Sequence, residues 1–215
     1  MNGIARPIIR AVFWAAIVAG TSFMIVVVTG LSGPLAVVWK GAGVALLAVW
    51  CAMQARDRDG WLIAAVMAFG ALGDVLLETA GLVAGAFAFF FGHILAVNLY
   101  SRHQRAVWTP SQRALALVLA VATPVIAWFV THRLEVVPYS LWLGLMAASA
   151  WVSRFPRYRV GLGAVMFVAS DLLIFARMGP LAGSPVPGLL IWPLYFGGQV
   201  LIAWGVTQTL ARDAR

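Results

Sequence analysis

The chain has 215 residues, 63% of them hydrophobic and 10% charged, with a mean hydropathy of +0.94; a soluble domain carries roughly a quarter charged residues, so that class is excluded. The formal net charge of +8 does not indicate a nucleic-acid partner, because the basic residues follow a membrane topology instead of one binding face. Cys51 is the single cysteine, which excludes an intramolecular disulfide and a thiolate metal site.

Eight apolar stretches of about 20 residues are predicted to cross ~30 Å of hydrocarbon, at about 8–29, 34–54, 61–79, 82–101, 111–131, 137–155, 159–179 and 187–209. The first follows Arg6 and Arg10, but its apolar run is too long for a signal-peptide core and lacks a clear cleavage site, so it is expected to be a retained span. Pro34 suits the first turn of the second helix, which carries Lys40, the only lysine. A tight charged turn, Arg56-Asp57-Arg58-Asp59-Gly60, leads into the third, where Gly73-Asp74-Val75-Leu76-Leu77 interrupts the apolar run. The fourth contains Phe87, Phe89, Phe90 and Phe91, expected to face lipid or pack, and then His93. Thr109-Pro110-Ser111 and Pro156 punctuate later connections, and Ser170-Asp171-Leu172-Leu173-Ile174 interrupts the seventh span. Gly179-Pro180 ends that span, and Pro185-Val186-Pro187-Gly188 opens the eighth, which carries Tyr195 and Gln199. The connection between them is expected to be a plain linker.

Short connections leave no room for a soluble domain, so residues 1–215 form one all-α integral membrane unit, an eight-transmembrane-helix bundle. Threaded from an inside N-terminus, every arginine except Arg133 and Arg177 falls inside, Arg215 included. This distribution predicts both termini in the cytoplasm and a multi-pass inner-membrane protein whose basic end touches anionic headgroups.

A carboxylate in lipid costs at least a few kcal/mol and normally faces a protein interior or a wet cavity. At ~1.5 Å of rise per residue, Asp74 lies roughly 8 Å below the outer end of its helix and Asp171 roughly 12 Å. By the same measure Lys40 lies about 9 Å below, Tyr195 about 12 Å, His93 about 16 Å and Gln199 about 18 Å. Polar residues of five spans thus share one slab between the outer surface and the midplane. Two carboxyls at one depth suit acid–base chemistry, proton transport or cation binding. Each residue also has a structural role open to it: Lys40 can neutralise Asp74, His93 can serve packing, and Tyr195 and Gln199 can tie helices together. Glu78, four residues after Asp74, is expected to be solvated, and Arg177 to touch headgroups.

These motifs resemble those of the YhhN-like membrane proteins, which include the lysoplasmalogenases. The resemblance runs from the second span to the eighth and rests on Lys40, Gly73-Asp74-Val75-Leu76-Leu77 and Phe91-Gly92-His93. Phe167-Val168-Ala169-Ser170-Asp171 and Tyr195 with Gln199 complete it. Two positions depart from the family pattern: Gly41 follows Lys40 where proline is common, and Ala96 stands where an aromatic is common. The resemblance implies hydrolysis of the vinyl-ether bond of a lysophospholipid, a lysoplasmalogen, to a fatty aldehyde and a glycerophospho-alcohol. Such hydrolysis begins with proton transfer to carbon and passes through an oxocarbenium-like cation, a problem glycosidases solve with two carboxyls. Asp74 and Asp171 take these roles by implication, Lys40 the lipid phosphate, and His93, Tyr195 and Gln199 the orientation of water or of the acids. No cofactor is implied, and a lone intramembrane histidine is a poor basis for zinc.

Two other functions use the same carboxyls. A proton-coupled transporter would relay protons through them, and a non-catalytic lipid-binding protein would need them only for folding. Flux across liposomes marks the first, and folding loss without activity loss marks the second. A retinal-type photoreceptor is disfavoured because Lys40 is not in the final helix.

Overall fold

The computed structural model describes residues 5–214; Arg215 and the first four residues lie outside them. The described residues form helices and turns with no strand, only a bridge between Gln104 and Ser153. Seven of the helices are long and apolar enough to cross a membrane, and the chain is a multi-pass membrane protein.

The first expected span is two helices, α1 (Ala5–Ser22) and α2 (Met24–Thr29), broken at Phe23. The backbone stays helical across it, the Phe23 N–H donating to the Ala19 carbonyl at 3.3 Å and the Val27 N–H to that of Phe23 at 3.1 Å. Phe23 packs inward onto Trp192, ring centroids 4.5 Å apart. Pro34 begins α3 (Pro34–Ala52) in its first turn. Asp57 caps α4 (Arg58–Thr79), accepting the Gly60 N–H at 2.8 Å. A short turn joins it to α5 (Leu82–Arg102). A reciprocal Thr109–Gln112 capping box opens α6 (Pro110–Thr131).

One helical turn, Leu134–Val136, precedes α7 (Val137–Val152). At 16 residues α7 is shorter than the expected span over 137–155. Residues 153–155 leave the helix because their carbonyls serve elsewhere: Arg105 Nε donates to the Ser153 carbonyl at 2.7 Å and its guanidinium to that of Phe155 at 3.3 Å. A wide helical segment, Arg157–Gly161, leads into α8 (Leu162–Arg177), and α9 (Val186–Asp213) closes the described chain.

Three ion pairs gather at one end of the bundle. Asp59 takes Arg102 Nε at 3.0 Å and His103 Nε2 at 2.7 Å. Arg154 Nε donates to His103 Nδ1 at 2.9 Å, and its terminal nitrogen pairs with Asp213 at 2.7 Å. The middle is dry: Leu47, Ile63, Met67, Leu99, Leu143, Met146 and Ile202 are all buried. Trp14, Val38, Val83, Leu117 and Phe129 are exposed around the outside, a surface suited to lipid and not to water. Asp74 on α4 and Asp171 on α8 lie toward the end opposite these three pairs.

Candidate active site

Asp74 and Asp171 are 1% and 5% exposed and line one cavity of about 520 Å³. Each carboxylate is held by a tyrosine from another helix. Tyr195 on α9 donates to Asp74 Oδ2 at 2.9 Å, and Tyr139 on α7 to Asp171 Oδ2 at 2.5 Å. A buried carboxylate without a donor would forfeit its solvation, so these hydroxyls hold both acids in place.

Small residues allow this convergence. A Cβ on Gly73 would stand 2.7 Å from the ring of Phe89, so only glycine lets that ring lie against α4 beside Asp74. A Cβ on Gly70 would stand 2.8 Å from Gln199 Nε2 and 3.3 Å from Tyr195 Oη. The ring of Phe89 meets Tyr195 and Phe167 edge-on, at 5.7 and 5.9 Å between centroids. These rings form an apolar wall below the acids.

The other expected residues divide by depth. Lys40 reaches the cavity, 16% exposed at its side chain, but pairs with Glu78 at 2.6 Å and not with Asp74. Glu78, expected to be merely solvated, is therefore half of a cavity-mouth ion pair, its side chain 48% exposed. Arg177 is exposed and lines the same cavity, and so does Gly188 beyond the connection read as a plain linker. His93 and Gln199 are buried and line no part of this cavity. His93 Nε2 lies 3.3 Å from the hydroxyl of Tyr139. Tyr139 gives its proton to Asp171, so in this contact His93 is the donor. Gln199 Oε1 is buried without a hydrogen-bond partner among the described residues, a polar end still able to accept a bond.

Tyr139 is the site residue that the sequence reading missed. Two residues into α7, a tyrosine ordinarily signals an interfacial anchor, and only the fold aims it at Asp171. Its place after Pro138 at the outer end of a span was the one available hint. Among the described residues, no three His, Cys, Asp or Glu side chains converge as a metal-binding set.

A second cavity, about 500 Å³, adjoins the first between α5, α7 and α8. Ala86, Phe87, Phe90, Tyr139 and Phe175 line it, with Arg133 and Glu135 at its rim. The two cavities share Leu77, Leu82, Phe89, Ile174, Met178 and Asp171. Asp171 is the only ionisable side chain common to both linings.

The YhhN family model matches residues 35–206. Two curated relatives named Lysoplasmalogenase, from Mycobacterium bovis and Mycobacterium tuberculosis, are each 29% identical over 164 residues. The match covers 70% of this chain and 61% of each relative, so it spans less than two thirds of the relatives' length. No solved structure matches.

Proposed function

The chain belongs to the YhhN family, and from that premise we propose that it hydrolyses the vinyl-ether bond of lysoplasmalogens. The products are a fatty aldehyde and a glycerophospho-alcohol, and the chemistry is carboxyl acid–base catalysis by Asp74 and Asp171. The observation that carries the reading is the pair of buried aspartates, each fixed by a tyrosine hydroxyl, on one cavity in an apolar protein. The names of the mycobacterial relatives support it.

Proton transfer to a vinyl-ether carbon needs a neutral acid, and an apolar setting favours the neutral form of a carboxyl. The cation that forms needs a fixed negative charge close by, which the second carboxylate supplies without reorganisation. Lys40 and Arg177 at the mouth supply positive charge for a lipid phosphate. His93 acts through Tyr139, and Gln199 stands beside Tyr195 with an acceptor free to hold water. The bundle is an eight-span inner-membrane unit with both termini in the cytoplasm: α7 with its preceding turn serves as the sixth span, which sets the aspartates toward the outer leaflet.

The test is aldehyde release from a lysoplasmalogen by the purified protein in detergent. Asp74→Asn and Asp171→Asn should each reduce the rate by about 10²- to 10⁴-fold, the usual worth of a positioned acid or base, while eluting as folded protein. Full activity in either variant, or none in well-folded wild type, rejects the reading.

A further inference from the structure

We propose that the apolar cavity between α5, α7 and α8 seats the hydrocarbon chain of a single-chain lysophospholipid, which lies across both cavities with its vinyl-ether bond at Asp171. The inference rests on the hydrolase reading above and adds the orientation of the substrate and the identity of the acid.

The two cavities differ in chemistry. Asp74, Lys40, Glu78 and Arg177 belong to the first alone, whereas Phe87, Phe90 and Phe175 belong to the second alone. A lysophospholipid has the same division: a zwitterionic headgroup and glycerol on one side of the ether oxygen, hydrocarbon on the other. Matching the two puts the headgroup against Arg177 and the Lys40–Glu78 pair, cation to phosphate and carboxylate to amine. The chain then runs past Phe89 into the apolar cavity. Val83 and Phe87, on the outer side of that cavity, are exposed, so a tail can enter directly from the bilayer. The charged pair of the second cavity, Arg133 and Glu135, is exposed at its rim with the two side chains on each other, so the reverse orientation sets a phosphate inside among phenylalanines, with poor compensation for its desolvation.

This orientation distinguishes the aspartates. In a vinyl ether the carbon that accepts the proton is the second from oxygen, on the chain side; the carbon that accepts water carries the oxygen. Asp171 borders the chain cavity and Asp74 does not, so Asp171 is the proton donor. Its proton and the double-bond electrons form the new C–H bond, leaving a cation on the ether carbon and a carboxylate on Asp171. Water adds to that carbon and gives a proton to Asp74. The resulting hemiacetal breaks its bond to the glycerol oxygen, which takes the proton from Asp74. The hemiacetal hydroxyl returns its proton to Asp171 as the aldehyde forms. One water is consumed and both carboxyls regain their starting states.

The experiment uses a saturated alkyl-ether lysophosphocholine, which cannot be hydrolysed, carrying a diazirine at its chain end. It is photolysed with the full chain in nanodiscs and mapped by mass spectrometry, with and without excess unlabelled lipid. Competable label on Val83, Phe87 or Val136 is the expected result. Label on α1, α3 or α9, or spread over the lipid-facing surface without competition, overturns the chain seat. In parallel, Ala86→Phe narrows the apolar cavity without touching either aspartate. It should lower kcat/KM for a long-chain lysoplasmalogen at least about tenfold relative to a short-chain one, and an unchanged chain-length profile overturns the proposal. Wild type that releases no aldehyde but labels at α5 and α7 rejects the hydrolase reading and keeps the seat. Wild type that releases aldehyde but labels elsewhere does the opposite.

Discussion

At the scale of single residues, a tyrosine hydroxyl holds each aspartate in place. Tyr139→Phe removes the hydroxyl between His93 and Asp171 and leaves the ring packing on Phe175, 6.2 Å away between centroids. A hydrogen bond to a charged group is worth ~1.5–3 kcal/mol, so kcat should fall about 10- to 100-fold with KM unchanged; a change in KM alone would mean that Tyr139 only shapes the cavity. Lys40→Met should act the other way. Its partner Glu78 is half-exposed, and such pairs contribute ~1 kcal/mol or less, so KM rises by no more than about fivefold while kcat holds. The division of roles can also be read by chemical rescue. Formate is ionised at neutral pH and can replace a carboxylate base but not a neutral acid, so it should restore aldehyde release to Asp74→Ala and not to Asp171→Ala; rescue of the second instead would exchange the two assignments. The aspartates and Lys40 stood out in the sequence because charge inside a hydrocarbon-length run is rare and normally faces a protein interior or a wet cavity. Tyr139 and the Lys40–Glu78 pair were not, since tyrosine, lysine and glutamate near a span end each have an ordinary interfacial use.

At the scale of helices, the expected boundaries and the observed ones agree to within a few residues at most ends, because hydrocarbon thickness fixes span length more tightly than propensity does. The departures have local causes that hydropathy does not register. The first helix loosens for one residue at Phe23, where the ring packs onto Trp192, and Arg105 takes the carbonyls of Ser153 and Phe155 beyond the end of α7. The closest approach that matters to the site is between α8 and α9. A Cβ on Gly163 would meet the Gly198 carbonyl oxygen at 2.7 Å, and one on Gly198 would meet that of Gly163 at 2.6 Å. Backbone cannot move aside as a side chain can, so Gly198→Ala should separate the helices at a cost of ~1–3 kcal/mol. Asp171 and Tyr195 ride on these two helices. Thermal unfolding in detergent should therefore show a lower midpoint together with reduced aldehyde release below it; a lower midpoint with full activity would show that the site tolerates the shift.

At the scale of the whole molecule, depth along the helices was the part of the site most readable from sequence. The six polar residues expected within one slab divide: Lys40, Asp74, Asp171 and Tyr195 line one cavity, whereas His93 and Gln199 do not and sit behind the tyrosines. Which helices are neighbours was not readable, so neither was the apolar cavity, where α5 meets the later helices α7 and α8. The ion-paired end has a consequence of its own. Asp59, Arg102, His103, Arg154 and Asp213 tie three connections and the last helix together, and dry core fills the space between them and the aspartates. Turnover should then be sided. In sealed vesicles holding the protein in one orientation, only lysolipid of the leaflet nearest the aspartates is consumed, and the water-soluble product collects in the one compartment that this leaflet faces while the aldehyde stays in the bilayer. On the proposed reaction the two products would part into different phases, the glycerophospho-alcohol into water and the aldehyde into the bilayer, so each would be recovered from its own fraction.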